Sequence, residues 1–350
     1  MSKIKLKSLH AFAVDALLHA GVREADAVTT ADVLVTTDTF GVLTHGTKNL
    51  RGYIQKINAG GLDAAAVPTI ERQGPAFAMI NANKSLGMVV GSMGMRLAIE
   101  KAKTCGIAYV GVRGSCHFGA AGYYANLAAE AGMLGLAMSN ADPVIAPPGG
   151  RGKTIGTNPF SFAAPLGGGR SIFLDVALSQ VAAVKVIMAQ EKGQPIPDSW
   201  LVDENGQPTT DAFLFPKRAS LQPMAAHKGY GLAVLVELLA SVMTGAGILS
   251  EIASWNLDLS SENNAGHAFI AVDIAQLMDY DRYLARVSQM ADELHNAPKA
   301  SGVERIFLPG EMEWDKRDAA MASGELTLTD AMADSLKALA NECGLKLELI

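Results

Sequence analysis

Cysteine is scarce in this chain. Cys105, Cys116 and Cys343 are the only three, an odd number without CxxC spacing. That excludes a disulfide framework or a cysteine zinc site and suits a reducing cytosol. Charge is thin as well: Asp, Glu, Lys and Arg make up 18% of 350 residues and the net charge is −6. With no basic cluster to track a phosphate backbone, nucleic acid is not an expected partner. Long apolar runs are missing. The longest, around residues 229–249, contains Glu237 and reads as a buried helix, not a membrane span. The opening MSKIKLKSLHAF has lysines but no apolar core or cleavage pattern, so no signal peptide is read and a cytoplasmic location is expected. The seven histidines make no HxxxH or HExxH pair, which leaves a metal site unsupported. No GxSxG elbow marks a hydrolase nucleophile. Nor is any strand followed by GxGxxG: "GAGILS" at 245–250 follows a helix, and "GGGRS" at 167–171 lacks the Gly-Lys-Ser/Thr of a phosphate loop.

What is present is a 49% hydrophobic fraction and 35 glycines, the profile of a compact α/β enzyme with more than one sizeable core. Residues 8–58 read as three helices: one capped by Ser8 and ending at Gly21, one over 26–40, and one with Leu50, Tyr53, Ile54 and Ile57 on its apolar face. Strands at 76–81, 107–112 and 134–139 then alternate with helices at 85–104 and 120–131, as in a covered sheet. A loop rich in Pro and Gly spans 140–158; loops of that length in compact domains are commonly functional. Strands "FSFAAP" and "SIFLDVA", a helix at 180–190 and a surface excursion turning at Asn205-Gly206 follow. The chain continues with a helix at 229–244, strands at 268–273 and 305–310, a helix at 280–294, and a closing helix at 329–344 capped by Thr329. The expected class is α/β (α+β). The expected organisation is a helical segment over 1–72 that packs with later helices, a sheet core with functional loops over 73–225, its continuation over 226–310, and a helical end over 311–350.

Several stretches carry candidate chemistry. In "LTHGTKNLRGYIQ", Thr44 precedes His45 at a helix start, where a neutral imidazole is suited to move a proton and Arg51 and Tyr53 to bind a carboxylate. Taken alone, a capping and packing role is the better reading of Thr-His-Gly. "RGSCHFGAAGYY" puts His117, Phe118, Gly119, Ala120 and Ala121 between a strand and a helix, where free N–H groups hold a pyrophosphate or glycine merely makes a tight turn. Asn140, Asp142, Thr157 and Asn158 bracket the long loop as hydrogen-bonding groups or turn formers, with Asp142 able to orient a histidine. His227 and Lys228 open an apolar helix, where a lysine opposes the helix dipole unless it binds a phosphate or lies in solvent.

Taken in order, THG, HFGxAGYY, SNADPVIAPPGG, IGTNPFSFAAP, LDVALS, HKGYGLA, HAFIAVD and FLPGE resemble the malate/L-lactate dehydrogenase family of NAD(P)-dependent oxidoreductases across nearly the whole chain. The resemblance implies a non-Rossmann, mixed-sheet cofactor domain packed with a discontinuous helical domain, and a homodimer. It implies His45 as proton donor supported by Thr44, with His117 the rival, and Thr157 as a substrate contact. It implies cofactor contacts from Asp175, Val176 and Ala177, from His227 and Lys228, and from Gly310 and Glu311. The expected substrate is a 2-hydroxy or 2-oxo acid, with a cyclic imino acid, or a cofactor-binding protein without turnover, as alternatives. Two departures bear on specificity. Where family members commonly carry Arg, four residues after the motif histidine, this chain has Asn49; Arg51 lies about 200° further round a helix. "PGEMEW" lacks basic residues to meet an extra phosphate, which favours NAD over NADP.

Overall fold

The computed structural model describes residues 2–350. After a short strand β1 (Lys3–Lys5) come helices α1 (Leu6–His19), α2 (Glu24–Thr39) and α3 (Leu50–Asn58). Next are β2 (Thr69–Gly74), β3 (Phe77–Asn81), α4 (Gly87–Cys105), β4 (Ile107–Ser115), α5 (Ala121–Glu130) and β5 (Met133–Ser139). Beyond the long loop lie β6 (Phe160–Gly167), β7 (Arg170–Val176), α6 (Ala183–Glu191), β8 (Leu201–Asp203), β9 (Pro208–Thr209) and β10 (Ala219–Leu221). Helix α7 (His227–Glu237) runs on through a π-helical turn, Leu238–Val242. The chain ends with β11 (Ala265–Asp273), α8 (Ile274–Leu277), α9 (Tyr280–His295), α10 (Glu311–Ser323), β12 (Glu325–Thr327) and α11 (Asp330–Cys343).

Seven strands form one mixed sheet in the order β2-β3-β4-β11-β5-β6-β7. Only β3 and β4 pair in parallel; β11 comes back late in the chain and inserts antiparallel between β4 and β5. Alternation along the strands divides the core. Phe269 and Ala271 of β11 face a cluster built with α1 to α5 and α11, whereas Ala268 of the same strand joins a second cluster with α6 and α7. A smaller cluster under α9 unites Ile172, Val287, Ala291 and Leu308. The chain's two ends meet where β1 pairs antiparallel with β12, and Lys3 and Ile350 exchange backbone hydrogen bonds of 3.1 and 2.7 Å.

The mixed, covered sheet is as expected, and Thr329 caps α11 by accepting from the Met332 N–H. Three expectations differ. Helix α1 starts at Leu6, so Ser8 lies inside it and caps nothing. Residues 305–310 make no strand; their one bond to the sheet runs from the Phe173 N–H to the Pro309 carbonyl, and a proline has no N–H to extend a ladder. Strand β2, TIERQG, escaped the pattern because it is a polar, mostly exposed edge strand without alternation.

Candidate active site

Five strands end or begin along one edge of the sheet, and their connections line a single cavity of about 280 Å³. Phe118 to Ala121 follow β4, Ser139 to Asp142 follow β5, Thr157 and Pro159 precede β6, Asp175 and Ala177 close β7, and Asn263 and Ala265 open β11. His45 from the N-terminal helices and Trp255 from the loop before β11 complete the wall.

The position of His45 is set from behind by Asp38. Oδ2 of this buried carboxylate accepts from the Thr47 N–H at 3.0 Å and the Thr47 hydroxyl at 2.7 Å, so the chain doubles back immediately after the histidine. Only glycine fits between them, because a Cβ on Gly46 would overlap Asp38 Oδ1. The Thr44 hydroxyl lies 2.8 Å from His45 Nδ1, which turns Nε2 to the cavity. Crowding by protein atoms, with the nearby Lys48 charge, holds His45 below the usual histidine range.

His117 sits in an aromatic stack. Its ring lies 4.6 Å from Trp255 and 5.6 Å from His45, and Trp255 also covers Tyr53 at 5.1 Å. Burial, together with any charge on His45 or His267, drives its pKa well down, so the ring is neutral. Behind it Phe118 lies flat on His267 at 4.4 Å. His267 is fully buried between the Ser139 and Ser115 hydroxyls and is pushed down to about 3 by burial.

Two carboxylates face the cavity. Asp175 Oδ2 accepts from the Gly122 N–H at 2.7 Å in the first turn of α5, and burial raises its pKa to about 6. A side chain at 122 would press on it, since a Cβ there would lie 2.9 Å from the carboxylate. This carboxylate takes up the Gly122 N–H, so that donor of the first turn is not open to an anion. Asp142, also raised by burial, hydrogen-bonds to neither histidine.

The amides at the ends of the long loop are tied to the protein, although Asn140 also lines the cavity and Asn158 does not. Asn158 donates to the Ala233 carbonyl at 3.0 Å and to Glu237 at 2.8 Å, and Asn140 donates to the Gly247 carbonyl at 2.9 Å. Glu237 is the buried acceptor that joins them. Arg51 points elsewhere: on the exposed outer side of α3 its Nε donates to Glu342 at 3.0 Å. Asn49 does not line the cavity, and its amide donates to the Thr44 carbonyl at 2.9 Å. Val176, His227, Lys228, Gly310 and Glu311 lie outside the lining; Glu311 is bound to His295 at 2.8 Å and to the Leu308 N–H at 2.9 Å.

The chain is similar to known proteins in sequence and fold. A family model described as malate/L-lactate dehydrogenase matches residues 4–337. The chain belongs to the malate/L-lactate dehydrogenase family. It is 34% identical over 351 residues to a malate dehydrogenase of Pyrococcus abyssi, covering 98% of this chain and 96% of that one. It is 34% identical over 322 residues to the ureidoglycolate dehydrogenase (NAD(+)) of Escherichia coli O157:H7, covering 92% and 91%. Among solved structures, the sulfolactate dehydrogenase of Methanocaldococcus jannaschii superposes with a TM-score of 0.91 at 33% identity, over 99% and 98% of the two chains. The delta1-piperideine-2-carboxylate reductase of Pseudomonas syringae pvar. tomato gives 0.86 at 29% identity, over 97% and 100%.

Sequence reasoning about this dehydrogenase-family chain missed Asp38, Trp255, Asn263 and Glu237. Trp255 had a signal in principle, as one of three tryptophans and the sole aromatic of a polar loop. Asp38 and Glu237 had none, because each works through groups brought close only by folding.

Proposed function

We propose that this family member passes a hydride between a nicotinamide dinucleotide and C2 of a 2-hydroxy or 2-oxo acid. The observation that carries the reading is the pair of imidazoles, 5.6 Å apart, on the wall of one cavity at the strand-end edge of the sheet. The residues present suit a nicotinamide end: a flat face of Trp255 against His117, a floor of Gly119, Ala120 and Ala121, and Asp175 to accept from a hydroxyl or amide. The cofactor, when bound, supplies or takes up the hydride. His45 Nε2 gives a proton to the substrate oxygen in reduction and takes it in oxidation, with Thr44 steadying Nδ1. Thr157 holds the acid. NAD is favoured over NADP, because the first turn of α10 after Gly310 carries Glu311 and Glu313.

The test is nicotinamide absorbance across a panel of 2-oxo and 2-hydroxy acids. Reduction needs protonated His45, so its rate falls as pH rises through a midpoint below 6.5; oxidation rises through the same midpoint and is flat by neutrality. His45→Gln removes that limb and lowers kcat by about 10²- to 10⁴-fold. A panel without turnover, or a limb that survives in the variant, overturns the assignment.

A second reading has its own support. The lining carries Asp142 and Asp175 and no Lys or Arg, a better match for a cyclic imino acid, which brings its own iminium charge, than for a dicarboxylate. Faster turnover of a cyclic ketimine acid than of oxaloacetate or pyruvate would decide for it. We further propose a cytosolic homodimer. Its support is an uncovered apolar stripe, Leu232, Leu235, Leu238, Val242 and Met243, along α7 and its π turn.

A further inference from the structure

The group that orients His117 lies on α3. The Tyr53 hydroxyl is 2.6 Å from His117 Nδ1, and the Gly119 backbone N–H points at the same nitrogen from 3.4 Å. A backbone N–H can only donate, so Nδ1 is the lone-pair nitrogen of the ring. The Tyr53 hydroxyl therefore donates too, and its oxygen is left to accept. The Asn49 amide donates to the Thr44 carbonyl at 2.9 Å. The opposite arrangement, a proton on Nδ1, would face the Gly119 N–H donor to donor and leave the Tyr53 hydroxyl proton without an acceptor.

We infer that the Tyr53 hydroxyl and the Gly119 N–H both donate to His117 Nδ1 and lock His117 as the Nε2–H tautomer, with its single proton presented to the cavity. His117 is then a fixed hydrogen-bond donor to an acceptor oxygen of the ligand. His45, one ring away, remains the group that gives and takes the proton. Tyr53 is a positioning residue, and Asn49 steadies the backbone beside His45 through Thr44. The tautomer stands on geometry alone; its consequence for turnover rests on the hydride-transfer reading.

The experiment is a two-bond ¹H–¹⁵N correlation spectrum of the full-length protein labelled with ¹⁵N-histidine, with His117 assigned by loss of its signals in His117→Gln. The expected wild-type result is a neutral ring protonated on Nε2 between pH 5.5 and 8. In Tyr53→Phe the lock is lost and the two tautomers mix. With the best acid found, kcat falls about tenfold while the substrate KM moves much less, as loss of one hydrogen bond that orients a reacting-site donor predicts. A wild-type His117 protonated on Nδ1, or doubly protonated, overturns the Tyr53 lock, as does an unchanged tautomer in Tyr53→Phe. If the tautomer is as expected but no acid is turned over, the lock stands and the hydride-transfer reading falls.

Discussion

Asp38 carries an unusual load for one residue. Its Oδ2 accepts both Thr47 bonds while Oδ1 is buried without a partner, and burial raises its pKa to about 7. In the unfolded chain the same carboxyl titrates near 3.8. The folded protein therefore holds this proton more tightly between about pH 4 and 7, and stability falls as pH rises through that window. Asp175, raised to about 6, acts with the same sign. Asp38→Asn removes one ionisation while keeping an acceptor for Thr47. Its melting temperature should vary less than the parent's between pH 4 and 7, the difference reaching a few kcal/mol of stability. Parallel curves for the two proteins would show that Asp38 is not the titrating group.

Loops belong to the next scale, and here Glu237 at the end of α7 ties two of them together. It accepts from Asn158 at one end of the long loop and from the Leu249 N–H at the start of the segment that carries Trp255. Asn140 reaches it at 3.4 Å. Every group converging on it is a donor, and the amides cannot flip, since Asn140 Oδ1 accepts from the Gly266 N–H and Asn158 Oδ1 from the Ala141 N–H. A carboxylate satisfies this array and an amide does not. Glu237→Gln sets its own NH2 against one of the donors, displacing Thr157 or Trp255, and should raise KM for the acid several-fold at a cost of about 1–3 kcal/mol in stability. Chemical denaturation together with steady-state kinetics checks both halves. An unchanged KM would mean that the two walls hold their shape without the knot.

At the scale of the whole molecule, an apolar surface left uncovered follows α7. Leu235 is 44% exposed, Val242 54% and Met243 57%. Covered by a second copy these side chains leave water, and replacing one by a charge would bury that charge on both sides of a symmetric contact. Leu235→Glu should convert the proposed dimer to a monomer in sedimentation or light scattering. A monomeric parent, or a dimer that tolerates this substitution, would remove α7 from the interface. No helix among the described residues is long and apolar enough to cross a membrane, so this stripe is not a span.

Local order was legible in the sequence wherever one face of an element meets a core. The apolar positions of α3, the buried runs of β4 and β5, and the Thr329 cap all followed from spacing and side-chain chemistry, and the ordered motifs were enough to resemble the right family. The partner of each polar group was not legible. Asn140 and Asn158 were read as hydrogen-bonding groups or turn formers, and both donate to Glu237, Asn140 from the cavity wall; Arg51 was read as a carboxylate clamp and is held by Glu342. Spacing along a chain sets which face of an element a side chain takes. What it meets there depends on which strand ends and loops the finished sheet brings together, and only the tertiary structure decided that His45, His117, Tyr53 and Trp255 would stack together beside one cavity.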